Sequence, residues 1–178
     1  QARRSVMAAV RESFEETGIL LAGEDEQDVV ERSSTPEFMA WREAVAAQDK
    51  SFSDFLTSSG LSVRADLLRP VARWQSPDFF LKRYDIAYFS TALPVGQDPK
   101  LLLGKGVWGD WLNVRELLEA KDTSELGDRI GQPNTVGRTL DQLITPGVMC
   151  LLESLAKAQT SVAWLSKRRK IEVKKPVL

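Results

Sequence analysis

Arg11-Glu12-Ser13-Phe14-Glu15-Glu16-Thr17-Gly18-Ile19 is the stretch on which the reading of this chain turns. Wound as a helix at about 100° per residue, it gathers Glu12, Glu15 and Glu16 into one narrow arc and leaves Val6, Met7, Val10 and Phe14 on the opposite side. One face is acidic and the other is core. Carboxylates at i, i+3 and i+4 repel, each pair costing an isolated helix roughly 0.2–0.5 kcal/mol, so a compensating charge is expected. Arg11, one turn before Glu15, can pair with it. Glu12 and Glu16 then face each other with no cation from the helix, and a hard divalent ion that takes oxygen ligands is the charge that fits. Gly18 ends the helix, because a residue without Cβ takes the left-handed C′ conformation at little cost. Ile19-Leu20-Leu21 follows as a short apolar strand. A solvated acidic face capped by glycine is the competing account.

The pattern Arg-Glu-x-x-Glu-Glu-x-Gly-apolar resembles the second half of the Nudix box, the helix and glycine turn that hold the metal in Nudix hydrolases; Ser13 stands where that family usually carries an apolar residue. A subgroup that includes the coenzyme A diphosphatase type is similar over more of the chain. Its helical insertion, Trp-x-x-Pro turn and Arg-aromatic-Asp strand ending in Leu-Pro have counterparts in Ser51-Phe52 to Leu61, in Trp74 to Pro77, and in Arg83-Tyr84-Asp85 running to Leu93-Pro94.

The resemblance implies an α/β/α sandwich with a mixed sheet, over residues 1–165, with a helical insertion at about residues 26–60 and a basic tail over residues 166–178. It implies metal-dependent hydrolysis of a phosphoanhydride bond in a nucleoside diphosphate derivative, coenzyme A-like or a nucleotide sugar. Mg²⁺ or Mn²⁺ would be held by Glu15 and Glu16. Glu12 would be a further ligand or the base, and Arg11 would orient the carboxylates. Many Nudix proteins also place an acidic residue a few positions before a tryptophan such as Trp111. Here Lys105 stands near that place and Asp110 directly precedes the tryptophan.

Composition narrows the chemistry. At 178 residues, with 43% hydrophobic and 28% charged residues, the chain is long enough for one globular domain with a real core. A net charge of -1 gives no whole-protein field for nucleic acid or an anionic membrane. No run approaches the roughly 20 apolar residues that span a bilayer, and the start lacks the order of a signal peptide, so a cytoplasmic protein is expected. The chain holds no histidine. That removes Ser-His-Asp and Cys-His catalysis and His-ligated zinc, and leaves carboxylates and a metal as the machinery of any enzyme built on it. The one cysteine, Cys150, lies in an apolar helical pattern and is expected in the core.

Along the chain, Gly23-Glu24-Asp25-Glu26-Gln27-Asp28 reads as a solvated loop. Pro36 opens a helix with Phe38, Trp41 and Val45 on one face, and Ser51 caps a second carrying Phe52, Phe55 and Leu56. These make a packing layer or a lid. Residues 84–93 read as a central strand buried on both faces, with Tyr84, Ile86 and Tyr88 sharing one of them. Just before it, Arg73, Trp74, Lys82 and Arg83 place cations and a ring where an anionic, base-containing ligand could be held, with Tyr84 beside them. Leu101-Leu102-Leu103 reads as a short strand. Val114, Leu117 and Leu118, then Val136 to Ile144, then Val148 to Leu155 read as amphipathic packing helices.

Counting back along the Nudix box puts its upstream glutamate at Arg3 and its glycine before Gln1. Residues 1–178 are therefore expected to be a fragment of a longer protein whose upstream strands pair with residues 84–93, and an open edge there invites association, a homodimer included. Two rivals stand beside the hydrolase. One is a catalytically silent Nudix-fold module that binds a ligand or partner. The other is a nucleic-acid regulator using Lys167-Arg168-Arg169-Lys170, Lys174 and Lys175, although a solvated tail is the simpler and favoured account of those residues.

Overall fold

A computed structural model describes residues 2–79 and 81–175, so the last three positions of the expected tail lie outside the described residues. The elements make an α/β protein with two small sheets. The chain divides into two compact units, Gln1–Arg69 with Phe89–Gly109, and Pro70–Tyr88 with Asp110–Leu178.

The first unit opens with helix α1 (Ala2–Thr17). Strand β1 (Ala22–Gly23), helices α2 (Pro36–Ala46) and α3 (Phe52–Ser58), and strand β2 (Ser62–Val63) follow. The helix starts are written locally. The Thr35 hydroxyl accepts the Phe38 N–H at 3.3 Å with Pro36 in the first turn of α2, and the Ser51 hydroxyl accepts the Asp54 N–H at 3.0 Å at the start of α3.

The strand expected at residues 19–21 begins only at Ala22. Ala22 and Gly23 pair antiparallel with Val63 and Ser62. Leu20 is buried without a ladder because the Gln97 side chain takes its backbone instead. Gln97 Oε1 accepts the Leu20 N–H at 2.8 Å, and Nε2 donates to the Leu20 carbonyl at 2.8 Å and to the Val30 carbonyl. Residues 101–103 form no strand either. Leu103 is almost wholly exposed, in a turn closed by the Lys105 N–H on the Leu102 carbonyl.

The core of this unit is aromatic, and Phe55 is its hub. Phe14 from α1 stacks on it with centroids 4.9 Å apart and planes 2° from parallel, while Phe38 meets it edge-on at 5.4 Å. Trp41 and Phe52 close the ring of contacts at 5.8 and 5.9 Å. Such pairs contribute roughly 0.5–1.5 kcal/mol each beyond area burial. The inserted helices thus share one core with the acidic helix, as a packing layer does.

In the second unit strands β3 (Arg69–Gln75) and β4 (Asp85–Ser90) are followed by helices α4 (Val114–Glu119), α5 (Glu125–Ile130), α6 (Leu140–Leu143), α7 (Pro146–Ala156) and α8 (Ser161–Ser166), and by strand β5 (Val173–Lys174). The sheet order is β4-β3-β5, with Val173 and Lys174 parallel to Arg73 and Trp74. Two expectations are corrected here. The strand read as central lies at an edge of the described sheet, with Tyr84 51% and Ile86 41% exposed, because the other flank of β3 is taken by β5. That β5 comes from the basic tail, whose Val173 and Lys174 stay exposed, as a solvated tail does. Cys150, expected in the core, sits on the exposed side of α7.

Truncating the aromatic hub tests this packing. Phe55→Ala is expected to cost about 3–5 kcal/mol, read as a fall in the urea midpoint with an unchanged slope. Leu103→Ala, at a position 98% exposed in the same unit, should change the unfolding free energy by less than about 0.5 kcal/mol.

Candidate active site

The last turn of α1 carries the site, and its carbonyls define how it is held. Carbonyls at a helix end have no partner inside the helix. Gly18, at φ +76°, donates its N–H back to the Phe14 carbonyl at 3.0 Å, and the Lys100 N–H reaches the Thr17 carbonyl at 2.8 Å. The Glu15 carbonyl accepts from Arg42 Nε at 3.0 Å. Arg42 is fully buried on α2, and its Nη2 donates to the Lys100 carbonyl at 2.7 Å. The last turn of α1 contains no basic residue, so Arg42 supplies from another helix the cation that the negative end of the dipole favours. Burial holds its guanidinium pKa below the ordinary value, with Glu43 partly opposing. Among the described residues Nη1 has no hydrogen-bond partner, a desolvation cost of roughly 1–3 kcal/mol.

The side chains follow from that frame. Glu15 is 7% exposed, with Arg11 Nε 3.5 Å from its Oε1 and Lys105 Nζ 3.6 Å from its Oε2. Arg11 also pairs with Glu12, which is half exposed. This corrects the expectation that Glu12 has no cation from its own helix, since one guanidinium serves both carboxylates. Glu16 is exposed. Arg11, Glu12, Glu15 and Lys105 line an open pocket of about 830 Å³ whose far wall is the turn between α2 and α3, including Gln48 and Asp49. Among the described residues no group of three or more Asp, Glu or Cys side chains is arranged to hold a metal ion.

The other expected site residues belong to the second unit. Arg73 forms a bidentate pair with Asp85, Nε to Oδ1 at 2.7 Å, and Gln75 also donates to that carboxylate at 3.1 Å. The Asp85 carboxylate raises the Arg73 pKa above its ordinary value. Arg83 donates to the Asp78 carbonyl at 2.8 Å and lies 3.6 Å from its carboxylate. Two of the three cations offered to an anionic ligand, Arg73 and Arg83, are thus engaged by carboxylates of their own unit. Trp74 packs against the start of α7 at Gly147, with Lys174 Nζ 5.9 Å from its ring centroid, and Tyr84 has Lys82 at 5.3 Å. Asp110 pairs with Arg129 and accepts the Trp111 N–H at 2.8 Å.

Comparison with models of protein families, with curated proteins and with solved structures gives no match to this chain.

Arg42 and Gln97 are the residues that sequence reasoning passed over. Arg42 carried one usable signal, since it falls at i+4 from Phe38 and next to Trp41, inside the apolar stripe of α2. Gln97 carried none, being a polar residue in a turn.

Gly18 is constrained twice, by its left-handed conformation and by its neighbour, since a Cβ at this position would lie only 3.1 Å from Arg42 Nη1. Gly18→Ala should destabilise the fold by about 1–2 kcal/mol in thermal or urea unfolding, while Gly60→Ala, also left-handed but facing open space, should cost less.

Proposed function

We propose that the chain is a Nudix-type hydrolase that cleaves the diphosphate of a nucleoside diphosphate derivative with Mg²⁺ or Mn²⁺. The reading carries with it the α/β/α sandwich of that family and a place beside its coenzyme A diphosphatase-like subgroup. The observation that supports it best is a nearly buried carboxylate, Glu15, that opens with Glu12 onto a pocket of about 830 Å³. The donor set fits a particular mode of metal use. Mg²⁺ commonly takes one or two carboxylates from a protein and the rest of its oxygens from substrate phosphates and water. Glu12 and Glu15 suit an ion that arrives chelated to the diphosphate, and Glu16 lies on the same arc of the helix.

When bound, the ion supplies positive charge against the diphosphate and a more acidic water. The chain does the rest. Glu12, half exposed at the mouth, takes up the proton of the attacking water. Arg11 keeps Glu12 and Glu15 aligned. Lys105, its ammonium 3.6 Å from Glu15 and carrying three donors on one nitrogen, turns one of them to a phosphate oxygen.

The pair between Lys105 and Glu15 also favours a second reading, a silent module in which the ammonium stands permanently where a metal would bind. A panel of dinucleoside polyphosphates, nucleotide sugars, NADH and coenzyme A with Mg²⁺ or Mn²⁺ separates the two. At least one compound is expected to be cleaved at its diphosphate, and Glu15→Gln is expected to lower the rate about 100-fold or more. Intact compounds throughout, with nucleotide still bound, would establish the silent module.

A further inference from the structure

The geometry points to Arg42 as a positioning residue: its guanidinium ties the backbone of Glu15 to the backbone of Lys100 and thereby sets where Lys105 meets the Glu15 carboxylate. The active-site meaning of that pairing rests on the hydrolase reading, but the positioning itself does not. Nε holds the Glu15 carbonyl at 3.0 Å, and Nη2 holds the Lys100 carbonyl at 2.7 Å. From Lys100 the chain runs only five residues to Lys105, through a turn closed by the Lys105 N–H on the Leu102 carbonyl at 3.0 Å and bent at Gly104, φ +83°. So short and turned a link leaves the Lys105 ammonium little freedom once Lys100 is fixed. At its other end Arg42 fixes the residue whose carboxylate that ammonium meets at 3.6 Å.

The planar fork matters, because it engages two carbonyls from different segments with preset geometry, which a lysine ammonium on a flexible stem does not reproduce. Core packing alone would ask for a different residue. An apolar side chain of similar length would bury no charge and no unpartnered Nη1, and would leave the Glu15 and Lys100 carbonyls without these donors. Arg42→Met removes both ties at once.

The test is competitive acetylation of lysines, read by mass spectrometry on the intact chain without substrate or metal. In the wild type, Lys105 should react more slowly than the exposed Lys121 and Lys157, since its ammonium lies against the Glu15 carboxylate. Glu15→Gln should raise the Lys105 rate about fivefold relative to those two. Arg42→Met should produce the same selective rise, and Arg42→Lys a smaller one. A folded Arg42→Met protein with unchanged Lys105 labelling overturns the proposal, as does a rise shared by all three lysines, which marks general loosening. If neither Arg42 variant folds, the ¹⁵N-resolved Nε–H signal of Arg42 decides. It should shift in Lys105→Gln and stay in Lys121→Gln, and a signal unmoved by Lys105→Gln overturns the proposal. If a diphosphate substrate is cleaved, Arg42→Lys should lower kcat with KM unchanged. A chain that cleaves nothing still gives the labelling result, so the hydrolase reading and the positioning role fail separately.

Discussion

A helix that ends inside a folded chain must hand its last carbonyls to something, and how α1 does so organises the first unit. Gly18 turns the chain back on the Phe14 carbonyl, the Lys100 amide takes Thr17, and the buried Arg42 takes Glu15. Three segments distant in sequence therefore meet at one helix terminus. The aromatic contacts between α1, α2 and α3 bring Arg42 to that point, since Phe38 and Trp41 of its own helix lie against Phe55 and Phe14 stacks on the same ring. Apolar packing supplies the approach and hydrogen bonding supplies the register.

The electrostatics of the pocket follow from the same frame. A carboxylate with so little exposure has lost most of its water, and nearby positive charge offsets that loss. Glu15 has it from Arg11 on its own helix and from Lys105 across the pocket, each somewhat beyond hydrogen-bond distance. Contacts of that length hold an ion without saturating it. The lone pairs of Glu15 stay available to a competing cation, and the donors of Lys105 to a competing anion. A chelated metal diphosphate is both at once.

What was legible in the sequence was what short-range pattern encodes. The arc of Glu12, Glu15 and Glu16, the core face of Val10 and Phe14, the stop at Gly18, and the starts at Pro36 and Ser51 each depend on residues within a turn or two. The misplaced features depend on distant partners. Residues 101–103 are apolar enough for a strand, but the Leu101 side chain lies against Gly106 and Gly109 within its own loop. β5 has two residues, too few to carry a period, and it forms because β3 offers a flank. In the candidate site Arg11, Glu12 and Glu15 were readable from helical spacing. The approach of Lys105 was not, because it is set by Arg42 through Lys100, and the place of an arginine inside an apolar stripe does not show which distant carbonyls it takes.

The side-chain amide of Gln97 serves Leu20 as a neighbouring strand would, accepting from its N–H and donating to its carbonyl while also holding Val30. Hydrogen bonding that a sheet spreads over many residues is here concentrated in one primary amide, and primary amides hydrolyse slowly in water. Deamidation would exchange the two N–H donors for carboxylate lone pairs facing the carbonyls of Leu20 and Val30, with no proton left between them. The burial that hides this amide from solvent therefore also protects it from its own chemistry, and the ageing of the chain at Gln97 is tied to how often the first unit opens.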